Sequence, residues 1–176
     1  ALEQKAPFII GTAGGAGSER HVQWLKEILL EIAAEKGLHF KLGIVFSDVS
    51  KEYVLEKFES GKITNMSDEM PLSQKDIEES TTIVSQIGIA PIVELLKQKA
   101  DVILCGRACD TAIYAAPCIY NGYNPGLAFH MAKIMECGAM CSEPVAAADV
   151  MQAYMYDDYF ELRPANPIRK CTVDRV

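Results

Sequence analysis

The stretch Gly11-Thr-Ala-Gly-Gly-Ala-Gly17 constrains this chain more than any other part of it. An apolar run, Pro7-Phe-Ile-Ile10, precedes it, and a long amphipathic segment follows from Ser18. Strand, glycine turn and helix N-terminus in that order set unpartnered backbone N–H groups beside residues that allow positive φ and close approach. Two readings stay open for the loop alone. It is either a cradle for an anionic small molecule, built on Thr12, Gly14, Gly15 and Gly17, or a tight β-to-α turn that holds nothing. The dinucleotide spacing G-x-G-x-x-G is missing: counting from Gly15 and Gly17, the third position is Arg20. No Gly-Lys-Ser/Thr follows, so the P-loop pattern is missing too. The loop indicates a pocket, and the cofactor stays unknown.

The segment from Ser18 to Lys36 is expected to be a helix, with Ser18 as N-cap, Glu19 suiting the positive end and Gly37 as the stop. Trp24, Leu25, Ile28, Leu29 and Ile32 make its apolar face, and His21 sits at the edge as a packing residue or a ligand contact. A strand is expected over Phe40–Phe46, ending in Ser47-Asp48, then a helix through Glu59 stopped by Gly61. A right-handed crossover would make the first two strands parallel and bring Asp48 to the glycine loop's sheet edge. Asp48 lies 31 residues beyond Gly17, farther than the usual spacing for a ribose-reading acid. Capping of the helix by Asp48 or Ser50 is the competing role. Lys62–Leu72 reads as a covering loop. Ser73 with Asp76 forms a capping-box pattern that opens a helix to about Gln86; Gly88 breaks it, and Pro91 starts a helix that leads to a strand at Asp101–Cys105.

A second site signal follows: Cys105-Gly-Arg-Ala-Cys-Asp-Thr111, again between a strand's carboxyl end and a helix, where open α/β sheets bind ligands. Arg107 offers a planar fork to a carboxylate or phosphate, with Thr111 beside it. Asp110 can orient that arginine, act as a base or cap the helix. The alternative for the charges is a structural pairing of Arg107 with Asp48 or Asp110. Cys109 is either an activated thiol or a buried inert one. After Asn121-Gly122 turns the chain, a helix is expected from Pro125 to about Ala139, with Leu127, Met131, Ile134, Met135 and Gly138 as its apolar face. His130, Lys133 and Glu136 on it are either proton-transfer groups or a packed histidine beside a solvated Lys–Glu pair. In the tail, Ala146–Ala153 reads as a short helix and Tyr159–Arg163 as a strand ended by Pro164 and Pro167.

These elements predict an α/β fold: three-layer αβα, with a Rossmann-like, mostly parallel sheet and helices on both faces. With 176 residues, 49% of them hydrophobic, one ordinary core is expected: an α/β domain over residues 1–145 and an appended segment over 146–176. The chain opens without Met and closes on Cys171-Thr-Val-Asp-Arg-Val176, and it reads as a fragment of a longer protein. Net charge is −7 with no basic stripe, which excludes nucleic acid as the expected partner. No apolar stretch has bilayer-spanning length, so no membrane partner is expected. Most of the six cysteines sit in apolar, helix-like contexts and read as reduced thiols of a cytoplasmic protein, and neither Cys105/Cys109 nor Cys137/Cys141 has the spacing of a zinc knuckle, so no metal is expected.

Several stretches together resemble the acyclic terpene utilisation AtuA family of bacterial and fungal proteins. They are Ile10–Gly17, Cys105-Gly-Arg-Ala-Cys-Asp-Thr-Ala112 with Ala115-Ala-Pro117, His130–Ala139, Phe160-Glu-Leu-Arg-Pro-Ala-Asn-Pro167 and Cys171-Thr172. Family members are longer at both ends. The resemblance favours functional roles for Gly14, Gly15, Arg107, Asp110, His130, Lys133 and Glu136. The family takes its name from gene clusters that degrade citronellol- and geraniol-type acids through CoA thioesters, and some relatives lie beside a small partner protein with a ferredoxin-like fold. The resemblance therefore implies an enzyme or enzyme subunit acting on a carboxylic acid or acyl-CoA by acid–base chemistry of the hydratase or lyase type. Asp110, His130, Lys133 and Glu136 are its candidate catalytic groups. The second reading is a non-catalytic binding or assembly subunit. A three-stranded sheet leaves exposed edges, so a homo-oligomer is expected on both readings.

Overall fold

The computed structural model describes residues 2–66, 69–145 and 149–176. Three strands, β1 (Phe8–Ile10), β2 (Leu42–Val45) and β3 (Val102–Cys105), form a parallel sheet in the order β1-β3-β2. Ile9 lies opposite Ile103, and Ile44 opposite Leu104. The central strand β3 is buried along its whole length, which is why it reads as an unbroken apolar run, not an alternating one. The helices are α1 (Glu19–Lys36), α2 (Lys51–Glu59), α3 (Gln74–Glu79), α4 (Ile89–Lys97), α5 (Asp110–Tyr120) and α6 (Pro125–Cys137). Two further strands, β4 (Met151–Met155) and β5 (Phe160–Pro164), pair as an antiparallel ribbon. The fold is α/β, with a small parallel sheet and a two-stranded antiparallel one.

Side-chain alternation along β3 divides the core. Ile103 and Cys105 join Ile92 and Leu96 of α4 and Ala112 and Ala116 of α5, while Leu104 joins Ala13 and Val22. Helix α6 meets α5 through Ala115, Ala128 and Ala132, all fully buried; these small side chains let the two backbones approach closely.

Several expectations from the sequence need correction. Helix α1 buries Val22 and Ala33 and packs Leu25 and Leu29 on the sheet, a stripe at i, i+3, i+7 and i+11, whereas Trp24 and Ile32 are about half exposed. Ser18 has the extended N-cap backbone but no side-chain cap bond. Helix α3 stops at Glu79, well short of Gln86, because Thr81-Thr82-Ile83-Val84 is β-branched and runs extended against the chain after β2. There the Val49 amide donates to the Ile83 carbonyl at 2.9 Å and the Ser85 amide to that of Ser47 at 2.7 Å. Helix α4 begins at Ile89, two residues before Pro91, with Gly88 as its extended N-cap. In the tail, Met151–Ala153 lie in β4, paired with Leu162–Pro164, so this part of the helix expected over Ala146–Ala153 is a strand; residues 146–148 lie outside the described residues. Pro164 closes β5 from inside the ladder.

Candidate functional site

The carboxyl ends of β1, β2 and β3 point the same way and deliver three segments to one edge of the sheet: the glycine loop, Ser47-Asp48 and Gly106–Thr111. The Ala13 amide donates to the Cys105 carbonyl at 3.1 Å, and the Gly106 amide to that of Val45 at 2.8 Å. Thr12 Oγ1 accepts the Ala108 amide at 3.1 Å and lies 3.3 Å from the Ala108 carbonyl, to which it donates. Thr12 thereby ties the start of the loop to the segment after β3.

Ser47, which belongs to no motif in the sequence, holds the rest together. The residue is 2% exposed, and its hydroxyl donates to the Gly17 carbonyl at 2.9 Å and accepts from the Arg107 amide at 2.7 Å. The approach is so close that a Cβ on Gly17 would come 2.2 Å from the Arg107 nitrogen, and one on Gly106 would come 2.4 Å from Ser47 Oγ.

Gly14 and Gly15 are exposed at the loop's tip with φ of +58° and +79°. His21 packs on Gly14, and its Nδ1 lies 2.8 Å from Ser18 Oγ. The space beyond Gly15 is open, and the Arg107 guanidinium donates to the Gly15 carbonyl at 3.3 Å. Among the described residues Arg107 forms no ion pair, so the structural pairing with Asp48 or Asp110 is not made. Asp48 is exposed and bridges to Val84 through the backbone, while Ser50 caps α2 by accepting the Tyr53 amide at 3.2 Å. Asp110 is the exposed first residue of α5, and Thr111 Oγ1 lies 3.2 Å from Cys109 Sγ.

Lys133 and Glu136 form an ion pair on α6 in which the lysine side chain is 71% exposed and the glutamate only 15%. The pair is therefore solvated on one side alone, and the carboxylate beside it holds the Lys133 ammonium above its usual range. Tyr114, one turn beyond Asp110 on α5, shares this neighbourhood. Burial pushes its phenol up first, and the Asp110 and Glu136 carboxylates push it further, so it keeps its proton. In the sequence, the i+4 spacing of Tyr114 from Asp110 is the local sign of this grouping. His130 is not gathered with these groups: its ring meets Phe160 of β5 edge-on, with centroids 5.2 Å apart.

All six cysteines are free, and burial pushes the Cys105 thiol up to about 11. Among the described residues no group of three or more His, Cys, Asp or Glu is arranged to hold a metal ion, and no helix is long and apolar enough to cross a membrane. No curated protein and no solved structure matches the chain. The model of the family described as acyclic terpene utilisation family protein AtuA matches residues 1–160, and the chain belongs to that family.

Proposed function

We propose that this chain is an enzyme, or the catalytic subunit of one, that acts on a small carboxylic acid or its CoA thioester by acid–base chemistry of the hydratase or lyase type. The observation that carries the reading is Arg107. Its guanidinium reaches over the glycine turn to the Gly15 carbonyl, beside the open space there and with no carboxylate partner among the described residues. An arginine fork so placed, next to a helix start whose side-chain cap is missing, suits an anionic group. Thr12, Gly14, Gly15, Gly17, Asp48 and Thr111 belong to the same edge. Asp110 and Glu136 are the proton-moving candidates, Lys133 stands paired with Glu136, and His130 is held for a role at the hairpin side.

On this reading the sheet and its helices are the three-layer, Rossmann-like core of a domain over residues 1–145, and residues 146–176 begin an appended segment. The free thiols support a cytoplasmic setting. A second reading, a non-catalytic binding or assembly subunit, is favoured by one feature: β1 and β2 are both outer strands of a three-stranded sheet, with Phe8 about half exposed on one of them. A homo-oligomer or a small partner protein with a ferredoxin-like fold would cover those edges.

A thermal-shift screen against short branched acids, CoA esters and nucleotides tests the site, with Arg107→Ala as control. Stabilisation by an acid or CoA ester that disappears in Arg107→Ala supports it; stabilisation that survives unchanged refutes it. Incubating the stabilising unsaturated thioester with the protein and following the addition of water by mass separates the readings. Turnover supports the enzyme, and binding without turnover, with or without the small partner, supports the subunit.

A further inference from the structure

A cleft of about 350 Å³ runs between β1, α5, α6 and β4, apart from the glycine loop. Ile9 of β1, Ile113 of α5, Met131 and Met135 of α6 and Ala153 of β4 make its wall apolar, and Tyr114 brings the one hydroxyl of the lining, beside the Cys118 thiol. Its volume lies at the small end for ligand sites, which suits a short chain. The two methionines adapt to branched or bent hydrocarbon.

The character of the polar end is set by Tyr114's neighbours. Asp110 lies one helical turn before Tyr114, and Glu136 follows the lining residue Met135 directly. Lys133 pairs with Glu136 from the solvent side, and the Asp110 and Glu136 carboxylates both still act on the phenol as negative charge. A carboxylate entering here would meet negative charge, whereas an uncharged carbonyl oxygen would accept a hydrogen bond from a phenol that stays protonated. The geometry points to this cleft as the binding site for the apolar chain of an uncharged acyl compound, a thioester in preference to the free acid, with Tyr114 as the donor to its carbonyl oxygen. This inference rests on the proposed acyl substrate and narrows its class.

Titration calorimetry on the full chain tests it with hexanoyl-N-acetylcysteamine, an uncharged thioester that carries no phosphate to engage Arg107. Hexanoate and acetyl-N-acetylcysteamine serve as comparisons. The hexanoyl thioester is expected to bind at least about tenfold tighter than either, and Tyr114→Phe to weaken it about tenfold through the lost hydrogen bond. Ala153→Phe, which fills the cleft, is expected to abolish the gain from the longer chain. Should that variant fail to fold, as judged by its melting curve, the conservative Tyr114→Phe carries the test. Hexanoate binding as tightly as the thioester, or Tyr114→Phe leaving the thioester's affinity unchanged, overturns the inference. Arg107→Ala is expected to leave binding of the uncharged probe intact, so failure here is distinguishable from failure of the anion site. Loss of that binding in Arg107→Ala overturns the separate cleft.

Discussion

The Arg107 amide donates to the buried Ser47 hydroxyl at 2.7 Å, and the same hydroxyl donates in turn to the Gly17 carbonyl at 2.9 Å. One side chain thus fixes the distance between the glycine loop and the segment that carries the arginine. Replacing it with alanine leaves a buried carbonyl and a backbone amide without their partner. Ser47→Ala is expected to destabilise the fold by about 1–3 kcal/mol, read from urea unfolding. A change within about 0.5 kcal/mol, the range of neutral surface substitutions, would show that the bridge contributes nothing.

Gly17 and Gly15 share positive φ, +73° and +79°, but differ in their surroundings. A Cβ at position 17 meets the backbone of Arg107 and Gly106, at 2.2 Å and 2.6 Å, and neither can swing aside. A Cβ at position 15 meets nothing within 4 Å. Gly15→Ala is therefore expected to cost only the left-handed backbone penalty of about 1–2 kcal/mol. Gly17→Ala adds overpacking of at least about 1–3 kcal/mol and a displaced Arg107. Equal melting temperatures for the two variants would contradict the close approach.

What the sequence made legible were features written in neighbouring residues. The Ser73–Asp76 capping box forms with both of its bonds, Gly37 ends α1 in the left-handed conformation, and Pro125 stands at the start of α6 under the Asn124 cap. Convergence of the three strand ends at one sheet edge was also readable, because parallel order follows from right-handed crossovers. Long-range contacts were less accessible. Thr81–Val84 runs extended because it has Ser47–Val49 to pair with, a partner more than thirty residues away. Trp24 lies outside the stripe of α1 that faces the sheet, since five apolar positions on nearly half the helix surface leave the buried direction undetermined until the sheet is placed. Ser47 carried no local mark of its two distant bonds.

Cys105 and Cys137 are expected to differ sharply toward alkylating reagents. Cys105 is fully buried at the end of β3, and burial moves its thiol from 9.0 to about 11, while Cys137 is exposed at the end of α6. Because the thiolate is the nucleophile, that shift alone lowers the reactive fraction of Cys105 near neutral pH about a hundredfold. Iodoacetamide labelling followed by peptide mass analysis should find Cys137 modified in the native protein and Cys105 only after unfolding. Comparable native rates would mean that the centre of the sheet opens readily.

The acid limb of stability should carry the signature of Asp149. Its carboxylate accepts from Arg169 Nε at 2.6 Å and from Asn166 Nδ2 at 2.9 Å, and both donors lie on the segment after β5. The Arg169 bond, then the Val150 amide and Asn166, hold the acid below its ordinary value of 3.8. A depressed carboxylate stabilises the folded state fully above its unfolded pKa, and that contribution is lost as pH falls below 3.8 through the folded value. Acid titrations of the melting temperature should therefore fall more steeply below about pH 4 for the native sequence than for Asp149→Asn, which has no charge to lose. The Arg169 side chain is only 10% exposed, so the variant should also start from a lower melting temperature at neutral pH, with the two curves drawing together in acid. Parallel curves down to the acid limit would show that the Asp149–Arg169 pair does not secure the tail.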